Sequence, residues 1–220
     1  MINIRFGFNL IIAVAFAGGM VAYGQHDASA HQGVFAGSTD VGATQKGSTV
    51  YDQTNRVYHV TGGGADMWGA ADAFHFSWVR MSGDASLTAD VEFPSSGVIP
   101  LEKAVLIFRQ SLDPGSPYAD VAIHGDGHIT LQYRVVAGGK TEDVTAPKAG
   151  SNRLRIERKG DQFTAYTSDS DGKLTAFSSY TLKMEGPVYV GIGVCAHNAD
   201  GTAAVTFSKV ILQQFTRTEP

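Results

Sequence analysis

Cysteine is almost absent from this chain of 220 residues, which limits how the fold can be stabilised. Cys195 is the only cysteine, so a disulfide within the chain is excluded. A chain of this length is long enough to bury a substantial hydrophobic core instead. We interpret Cys195 itself as a small apolar residue of a buried strand.

Clusters of basic residues are also missing. The chain has 17 Lys and Arg against 21 Asp and Glu, giving a formal net charge of −4, and nowhere do the basic residues gather into a patch. This composition argues against nucleic acid and anionic lipid as partners. A neutral or weakly charged ligand is favoured.

Common catalytic motifs are absent as well. The sequence has no nucleophile elbow, zinc-protease motif, phosphate-binding loop or dinucleotide fingerprint. Its one glycine triplet, Gly62-Gly63-Gly64, is followed by more β-type sequence rather than by the helix that a phosphate cradle needs. These absences disfavour nucleotide-dependent chemistry and the commonest hydrolase mechanisms.

A long apolar run occurs only at the N-terminus. Arg5 precedes the mainly apolar run Phe6–Val21, and the small residues of Ala22-Tyr23-Gly24 suit a signal peptidase. We therefore predict a signal peptide over residues 1–24 and export to the periplasm or the extracellular space. A membrane-spanning helix is less favoured because Asn9 and Gly18-Gly19 interrupt the run.

The mature chain is then predicted to be one domain over residues 25–220, with a short lead-in of about 25–35. A second small-residue triplet, Ala28-Ser29-Ala30, offers an alternative cleavage site. No later run approaches membrane length, so we expect no membrane insertion after the signal is removed.

Glycine, by contrast, is abundant, with 26 residues, and segments of alternating polarity recur between turns. This pattern predicts an all-β fold, and about eleven strands in one unit require two packed sheets. The predicted strands are Val57–Thr61, Ala73–Arg80, Ser86–Phe93, Lys103–Gln110, Tyr118–His124, His128–Val135, Arg153–Lys159, Gln162–Ser168, Ala176–Tyr180, Val188–Ala196 and Ala203–Gln213.

The hairpin around Gly125-Asp126-Gly127 defines its own register. With this three-residue loop the apolar residues of the two strands face each other, as in the pair Val121 and Leu131, whereas a two-residue loop mixes the faces. The opposite face then carries polar pairs, such as Asp120 with Gln132. This polar row is either a solvated back or a binding surface.

Two further strands contribute to the predicted faces. In Val188–Ala196, Gly191 and Gly193 share one side, where either a ligand or a large neighbouring side chain can approach. In Phe74–Trp78 the three aromatic residues alternate with His75 and Ser77, so we expect the aromatics in the core and His75 on the polar face.

Longer stretches resemble a known family. Residues 153–172 (RLRIERKGDQFTAYTSDSDG) resemble the strand-turn-strand signature of concanavalin A-like lectin/glucanase sandwiches. Gly62–Trp78, Arg109–Gly127 and Val188–Asn198 are similar to a bacterial extracytoplasmic branch of undefined function, sometimes joined to TolB-like propellers. The resemblance implies a two-sheet jelly roll whose concave face usually accepts carbohydrate. The Glu-x-Asp-x-Glu strand of the glucanase members is absent, so no catalytic residue is carried over.

The candidate ligand-binding residues combine planar hydrogen-bonding groups with one aromatic plate, as sugar recognition requires. Nine residues form this set: Trp68, Asp72, His75, Arg109, Asp120, His124, Gln132, Arg134 and His197. His, Asp, Gln and Arg recur here, whereas a merely wet sheet face tends toward Lys, Glu and Thr. The preferred hypothesis is an exported carbohydrate-binding module without catalytic activity.

Two other functional classes stay open. A glycan-cleaving hydrolase would use Asp120 with one loop aspartate as an acid/base pair, and a cell-envelope interaction module would only present loops to a protein partner.

A transition-metal site at His124 and His128 lacks a third ligand fixed by spacing. No cofactor is expected, although a structural calcium ion bound by carboxylates such as Asp40 or Asp52 stays possible.

Overall fold

The computed structural model describes residues 33–94, 98–147 and 152–215. Over these ranges every regular element is a β-strand, which confirms the all-β prediction. The described residues contain no helix long and apolar enough to cross a membrane. The predicted signal peptide lies outside the described residues.

Two seven-stranded antiparallel sheets and one short hairpin make up the fold. Sheet 1 contains, in spatial order, β1 (Gly37–Val41), β6 (Phe74–Met81), β15 (Val188–Cys195), β8 (Lys103–Arg109), β9 (Tyr118–His124), β10 (Ile129–Arg134) and β11 (Thr141–Thr145). Sheet 2 contains β14 (Leu174–Thr181), β13 (Gln162–Ser168), β12 (Arg153–Lys159), β7 (Ala85–Glu92), β16 (Asn198–Gln214), β3 (Val57–Gly64) and β2 (Ser48–Asp52). The cover hairpin pairs β4 (Met67–Trp68) with β5 (Ala71–Asp72).

The main hydrophobic core lies between the two sheets. Alternate residues of each strand supply it, as the pattern of β15 shows: Val190, Ile192 and Val194 are all fully buried there. On β7 and β12, Leu87 and Ile156 lie opposite each other and face the same core. The two-sheet jelly-roll prediction is therefore confirmed.

The hairpin register predicted from the apolar matching is confirmed. Val121 pairs with Leu131 and Asp120 with Gln132 across β9 and β10. Beyond the last strand pair, the His124 N–H donates a hydrogen bond of 2.9 Å to the His128 carbonyl, which closes the three-residue loop.

All eleven predicted strands are present, and the structure adds five that the pattern did not predict. These are β1, β2, β4, β5 and β11. Each is only two to five residues long. Strands this short are stabilised by the neighbours they pair with, and their own sequence carries too few alternations to reveal them.

The outer face of sheet 1, which points away from sheet 2, carries a second and smaller core. Phe74, Phe76 and Cys195 are buried there, with Met67 of the cover hairpin among them. Burial raises the pKa of the Cys195 thiol to about 12. Phe74 and Phe76 are therefore buried as predicted, but on the outer side of the sheet, and Trp78 packs against the same cluster partly buried.

The predicted position of His75 needs correction for the same reason. His75 pairs in register with Val194, a residue of the main core, so it points toward sheet 2 and away from the outer face. Its Nδ1 lies 2.6 Å from Asp40 Oδ1, and its Nε2 lies 3.1 Å from Thr49 Oγ1. His75 therefore belongs to a structural contact at the sandwich edge.

The glycines of β15 are explained by close packing within the protein. A Cβ placed on Gly193 would lie 2.7 Å from the Phe74 ring, and one on Gly191 would lie 1.8 Å from the Ser77 carbonyl oxygen. Real Cβ atoms do not approach other atoms this closely. Of the two alternatives, a ligand or a large neighbouring side chain, the structure shows the side chain, since Phe74 fills the space above Gly193.

Replacing Gly193 with Ala is expected to lower the free energy of unfolding by about 1–3 kcal/mol, because the added methyl group overpacks against the immobile Phe74 ring. Gly201→Ala is the control, since its nearest neighbour is the end of the exposed Asn198 side chain. It should change stability by no more than about 0.5 kcal/mol. Urea denaturation measures both, and equal effects would contradict the packing argument.

Candidate functional site

The polar row predicted on β9 and β10 is covered and does not face open solvent. Asp120, Gln132 and Arg134 point to the outer face of sheet 1, but each is buried. The cover hairpin lies over this face, with Met67 and Asp72 buried beneath it. The row is therefore partly an internal polar layer and partly the floor of a pocket.

An arginine–aspartate cluster forms the internal part. Asp72 of the cover hairpin accepts hydrogen bonds from Arg109 Nη1 at 2.5 Å and from Arg134 Nη2 at 2.7 Å. Arg134 Nη1 donates a further bond of 2.8 Å to Asp72 Oδ2. All three side chains are fully buried. This bidentate geometry is the strong form of the carboxylate–guanidinium contact.

The two arginines also organise the surrounding loops. Arg109 Nη2 donates to the Asp113 carbonyl at 2.6 Å, and Arg134 Nη2 donates to the Gly69 carbonyl at 3.1 Å. The Tyr118 ring lies between the two guanidinium groups, with ring centroid distances of 5.7 and 5.0 Å. Asp72, Arg109 and Arg134 are thus committed to protein partners and anchor the cover hairpin. Their predicted direct contact with a sugar is not compatible with this buried position.

Beside this cluster, the outer face opens into a pocket of about 260 Å³, called here the outer-face pocket. It is lined by Asp66, Trp68, Leu101, Lys103, His124, His128, Thr130, Gln132, Asp143 and His197. Four of the nine predicted site residues, Trp68, His124, Gln132 and His197, meet here. The long-range pairing of β8, β9 and β10 and the cover hairpin bring them together.

Trp68 forms the aromatic part of the pocket wall. It lies in the cover hairpin and is 41% exposed, unlike most large aromatic residues of the described chain. The Lys103 ammonium lies 5.6 Å from the centre of its ring. Gly69 follows Trp68 with a positive φ of 59°, a conformation that this tight turn requires and that Gly adopts without strain. The indole is therefore held at the pocket mouth by a rigid turn.

His124 and Gln132 form the floor. Gln132 Nε2 lies 3.5 Å from His124 Nε2, and Thr130 Oγ1 lies 3.3 Å from the same nitrogen. The His124 ring stacks on His128 at a centroid distance of 3.7 Å. Burial, helped by the neighbouring His128, lowers the pKa of His124 to about 3. His124 is therefore uncharged near neutral pH.

Several polar atoms around this floor have no hydrogen-bond partner among the described residues. They are His124 Nδ1, Gln132 Oε1, His197 Nδ1 and both carboxylate oxygens of Asp120. Buried polar groups in native proteins are nearly always hydrogen-bonded, to protein, water or ligand. Three of these atoms, on His124, Gln132 and His197, belong to residues that line the pocket and are available to hydrogen-bond to water or a ligand.

The rim of the pocket carries polar and charged side chains, and its only lysine among the described lining residues is already paired. Lys103 Nζ lies 2.7 Å from Asp66 Oδ1 and donates to the Met67 carbonyl at 3.0 Å. His128 Nδ1 lies 2.5 Å from Asp126 Oδ1. His197, at a positive φ of 50°, points its Nδ1 toward Asp66 at 3.8 Å. Lys103 is therefore not available as a free cation for an anionic ligand.

Asp120 lies behind the floor, between the outer-face pocket and the arginine–aspartate cluster. Its exposed fraction is 0%, and it does not line the pocket itself. Burial raises the pKa of Asp120 well above its usual range, opposed by the charge of Lys103 and reinforced by that of Asp72. A carboxyl group in this environment favours its neutral form.

Metal-binding arrangements are not found in the described ranges. No group of three His, Cys, Asp or Glu side chains there is placed to hold an ion. Asp40, one calcium candidate, accepts hydrogen bonds from the Gly47 N–H and contacts His75. Asp52, the other, caps its own turn by accepting from Thr54 and Asn55.

Sequence reasoning missed several lining residues, of which Lys103 is the most informative. Lys103 begins an otherwise apolar strand, β8, and a lone lysine in that position was a usable signal. It lies directly opposite His124, but only the β8–β9 register shows this. Asp143 was missed because its strand, β11, was not predicted.

No family model and no curated protein sequence matches the chain. Solved structures with the same architecture do match. A functionally unknown protein from Saccharomyces cerevisiae aligns with a TM-score of 0.59 at 19% identity, over 81% of this chain and 97% of its own. The carbohydrate-binding module CBM66 from Bacillus subtilis aligns with a TM-score of 0.54 at 14% identity, over 82% and 98%.

A third similar structure is a protein of Mycobacterium tuberculosis described as an immunostimulatory antigen and pseudo beta-1,3-glucanase. It aligns with a TM-score of 0.53 at 10% identity, over 82% of this chain and 91% of its own. Identities this low establish similarity of fold alone. The three alignments agree with the two-sheet β-sandwich expected from the sequence.

Proposed function

We propose that this protein binds a neutral carbohydrate in the outer-face pocket and does not cleave it. The observation that carries the proposal is the combination of an exposed Trp68 with a floor of unpartnered polar atoms. An aromatic ring covers the apolar face of a sugar ring, while planar side chains bind its hydroxyl groups. The described pocket offers both within one small volume.

A neutral ligand is favoured by the charges around the pocket. Lys103 is neutralised by Asp66, and His124 is uncharged near neutral pH because of its lowered pKa. Asp143 adds a carboxylate to the lining. An acidic sugar would meet these carboxylates without gaining an unpaired cation, so its binding is disfavoured.

Binding without cleavage is supported by the position of Asp120. A glycosidase needs two carboxyl groups flanking the scissile bond, and Asp120 was the candidate acid. Its carboxyl group is fully buried behind the pocket floor, where a glycosidic oxygen has no access to it. This position argues against the hydrolase hypothesis in the form that uses Asp120 as the acid.

The fold similarity to a carbohydrate-binding module agrees with this proposal, without extending that module's ligand to this chain. Export to the periplasm or extracellular space, from the predicted signal peptide, would place the pocket where free glycans occur. Membership of the bacterial extracytoplasmic branch is part of the proposal. Binding to a protein partner is the alternative to it.

The direct test is to incubate the mature protein with neutral and acidic polysaccharides and to measure both the bound fraction and new reducing ends. We expect retention on at least one neutral polysaccharide and no release. Release of reducing ends would overturn the non-catalytic proposal. Retention on acidic polysaccharides alone would overturn the neutral ligand, and no retention at all would favour a protein partner.

Gln132→Leu supplies the site-specific arm of this experiment. It removes the amide from the pocket floor, so retention should fall at least about tenfold, as expected for the loss of buried hydrogen bonds. Gln213→Leu is the matched control, because Gln213 is exposed on β16 in the other sheet. Equal retention by both variants would place the ligand elsewhere.

A further inference from the structure

We propose that Asp120 is a positioning residue of the outer-face pocket: its protonated carboxyl group orients the Gln132 amide, which in turn sets the tautomer that His124 presents to a ligand. This inference deepens the proposed binding function and rests on it for the role of the pocket. Its decisive experiment, however, needs no glycan.

The geometry begins with the pairing of Asp120 and Gln132. They lie directly opposite each other on β9 and β10 and face the same side, and Cβ atoms of such pairs are about 5 Å apart. Gln132 Oε1 and both oxygens of Asp120 lack a side-chain donor among the described residues. The Gln132 backbone N–H favours the ionised carboxyl group, but it does not outweigh the burial that raises the pKa of Asp120. Buried acceptors without a sufficient donor are costly. In the proposed arrangement, one proton on Asp120 supplies the donor that Gln132 Oε1 lacks.

The charged and titratable groups around Asp120 do not replace that proton. Lys103 and Arg109 of β8 and Asp72 of the cover hairpin act on its charge, Tyr118 of β9 is close to it, and His124 of β9 and Arg134 of β10 share its face of sheet 1. Lys103 is bound by Asp66, and both arginines are bound by Asp72. None of these cations donates a hydrogen bond to the Asp120 carboxyl group within the described structure. Burial accordingly raises its pKa well above the usual range.

The arrangement continues from Gln132 to His124. Gln132 Nε2 faces His124 Nε2 at 3.5 Å, and an amide nitrogen only donates, so this imidazole nitrogen accepts. The proton of the neutral ring then resides on Nδ1. That N–H has no partner among the described residues, and His124 lines the pocket. A hydroxyl or ring oxygen of a ligand is a suitable acceptor.

Without the Asp120 proton, the opposite amide orientation becomes competitive. Gln132 would then turn Oε1 toward His124, and the imidazole would carry its proton on Nε2. The pocket would lose a donor and gain an acceptor at His124 Nδ1. Asp120 would therefore affect ligand recognition without touching the ligand.

The test is nitrogen NMR of the protein labelled with ¹⁵N-histidine, comparing wild type, Asp120→Asn and Asp120→Leu at neutral pH. Asn stays neutral and keeps an N–H donor, whereas Leu has a similar size and no donor. We expect the Nδ1–H tautomer of His124 in wild type and Asp120→Asn, and a shift toward Nε2–H in Asp120→Leu. The Nε2–H tautomer in wild type, or no change in Asp120→Leu, would overturn the proposal.

Melting temperature against pH provides a second readout that does not require Asp120→Leu to fold. The pKa of Asp120 is raised on folding, so the folded state binds its proton more tightly than the unfolded chain does. The contribution of Asp120 to the stability of the wild type therefore falls as pH rises from about 4 toward the raised pKa. Asp120→Asn lacks this titration, and its advantage over wild type should grow by at least about 3 °C between pH 4 and pH 8. A constant difference would overturn the neutral carboxyl.

These outcomes are separable from those of the proposed function. If no polysaccharide is retained while His124 shows the expected tautomers, the glycan proposal fails and the positioning role stands. If a polysaccharide is retained but the tautomer of His124 does not depend on residue 120, only the positioning role fails.

Discussion

Replacing Asp72 with Ala is expected to lower the free energy of unfolding by about 3–5 kcal/mol, the largest effect of any single change proposed here. The substitution leaves the Arg109 and Arg134 guanidinium groups buried without their carboxylate. Uncompensated charge in a low-dielectric interior is the physical source of the loss. The cover hairpin would lose its strongest attachment to sheet 1 at the same time.

The measurement is urea denaturation together with the melting temperature, which should fall by roughly 10 °C for a domain of this size. Asp113→Asn is a suitable control. Asp113 is an exposed residue of the loop between β8 and β9, where its backbone carbonyl accepts from Arg109 and its carboxylate accepts from the Ser111 hydroxyl. The control should stay within about 0.5 kcal/mol of wild type. A loss below about 1 kcal/mol for Asp72→Ala would contradict the assigned role of the cluster.

Replacing Trp68 with Ala is expected to weaken glycan binding at least about 30-fold, since truncating a tryptophan that stacks on a ligand commonly costs about 2 kcal/mol or more. The melting temperature should change little, because the indole is 41% exposed and packs mainly at the pocket mouth. Affinity is measured by titration calorimetry with the retained polysaccharide or an oligosaccharide derived from it.

Ile211→Ala is the control for Trp68→Ala. Ile211 is also a large exposed apolar residue, but it lies on β16 of sheet 2, away from the pocket. Its replacement should leave affinity unchanged. Unchanged affinity in Trp68→Ala would remove the aromatic wall from the binding mechanism, and equal loss in both variants would indicate general destabilisation.

The two expected effects also separate the two halves of the outer face. Asp72 stabilises the cover hairpin from beneath, and Trp68 lies on the same hairpin four residues earlier. Asp72→Ala should therefore reduce both stability and binding, while Trp68→Ala should reduce binding alone. The fold holds the aromatic ring in place through the arginine–aspartate cluster.

Local pattern was sufficient for much of the fold. Strict alternation fixed which residues of β9 and β10 face each other, because a shift of one residue would have placed Leu131 and Val121 on opposite faces. The same alternation put Gly191 and Gly193 on one side of β15, and Val190, Ile192 and Val194 on the other side belong to the core. Side-chain direction in a strand is a local property, so one segment is enough to read it.

Face assignment across strands was less secure, as His75 shows. Alternation separated His75 from Phe74 and Phe76 correctly, but it gave no indication of which side faces sheet 2. The aromatic residues were assigned to the core because large apolar side chains usually are. A second core under the cover hairpin made the other choice equally favourable in hydrophobic terms.

The sequence by itself determined the all-β class, the positions of eleven strands, the hairpin register and the polar row on β9 and β10. Only the tertiary structure decided which of those residues are accessible. Asp72, Arg109 and Arg134 became a buried ion cluster, whereas Trp68, His124, Gln132 and His197 met at a pocket. Burial depends on what packs over a strand, here a hairpin far away in sequence, and no local pattern contains that information.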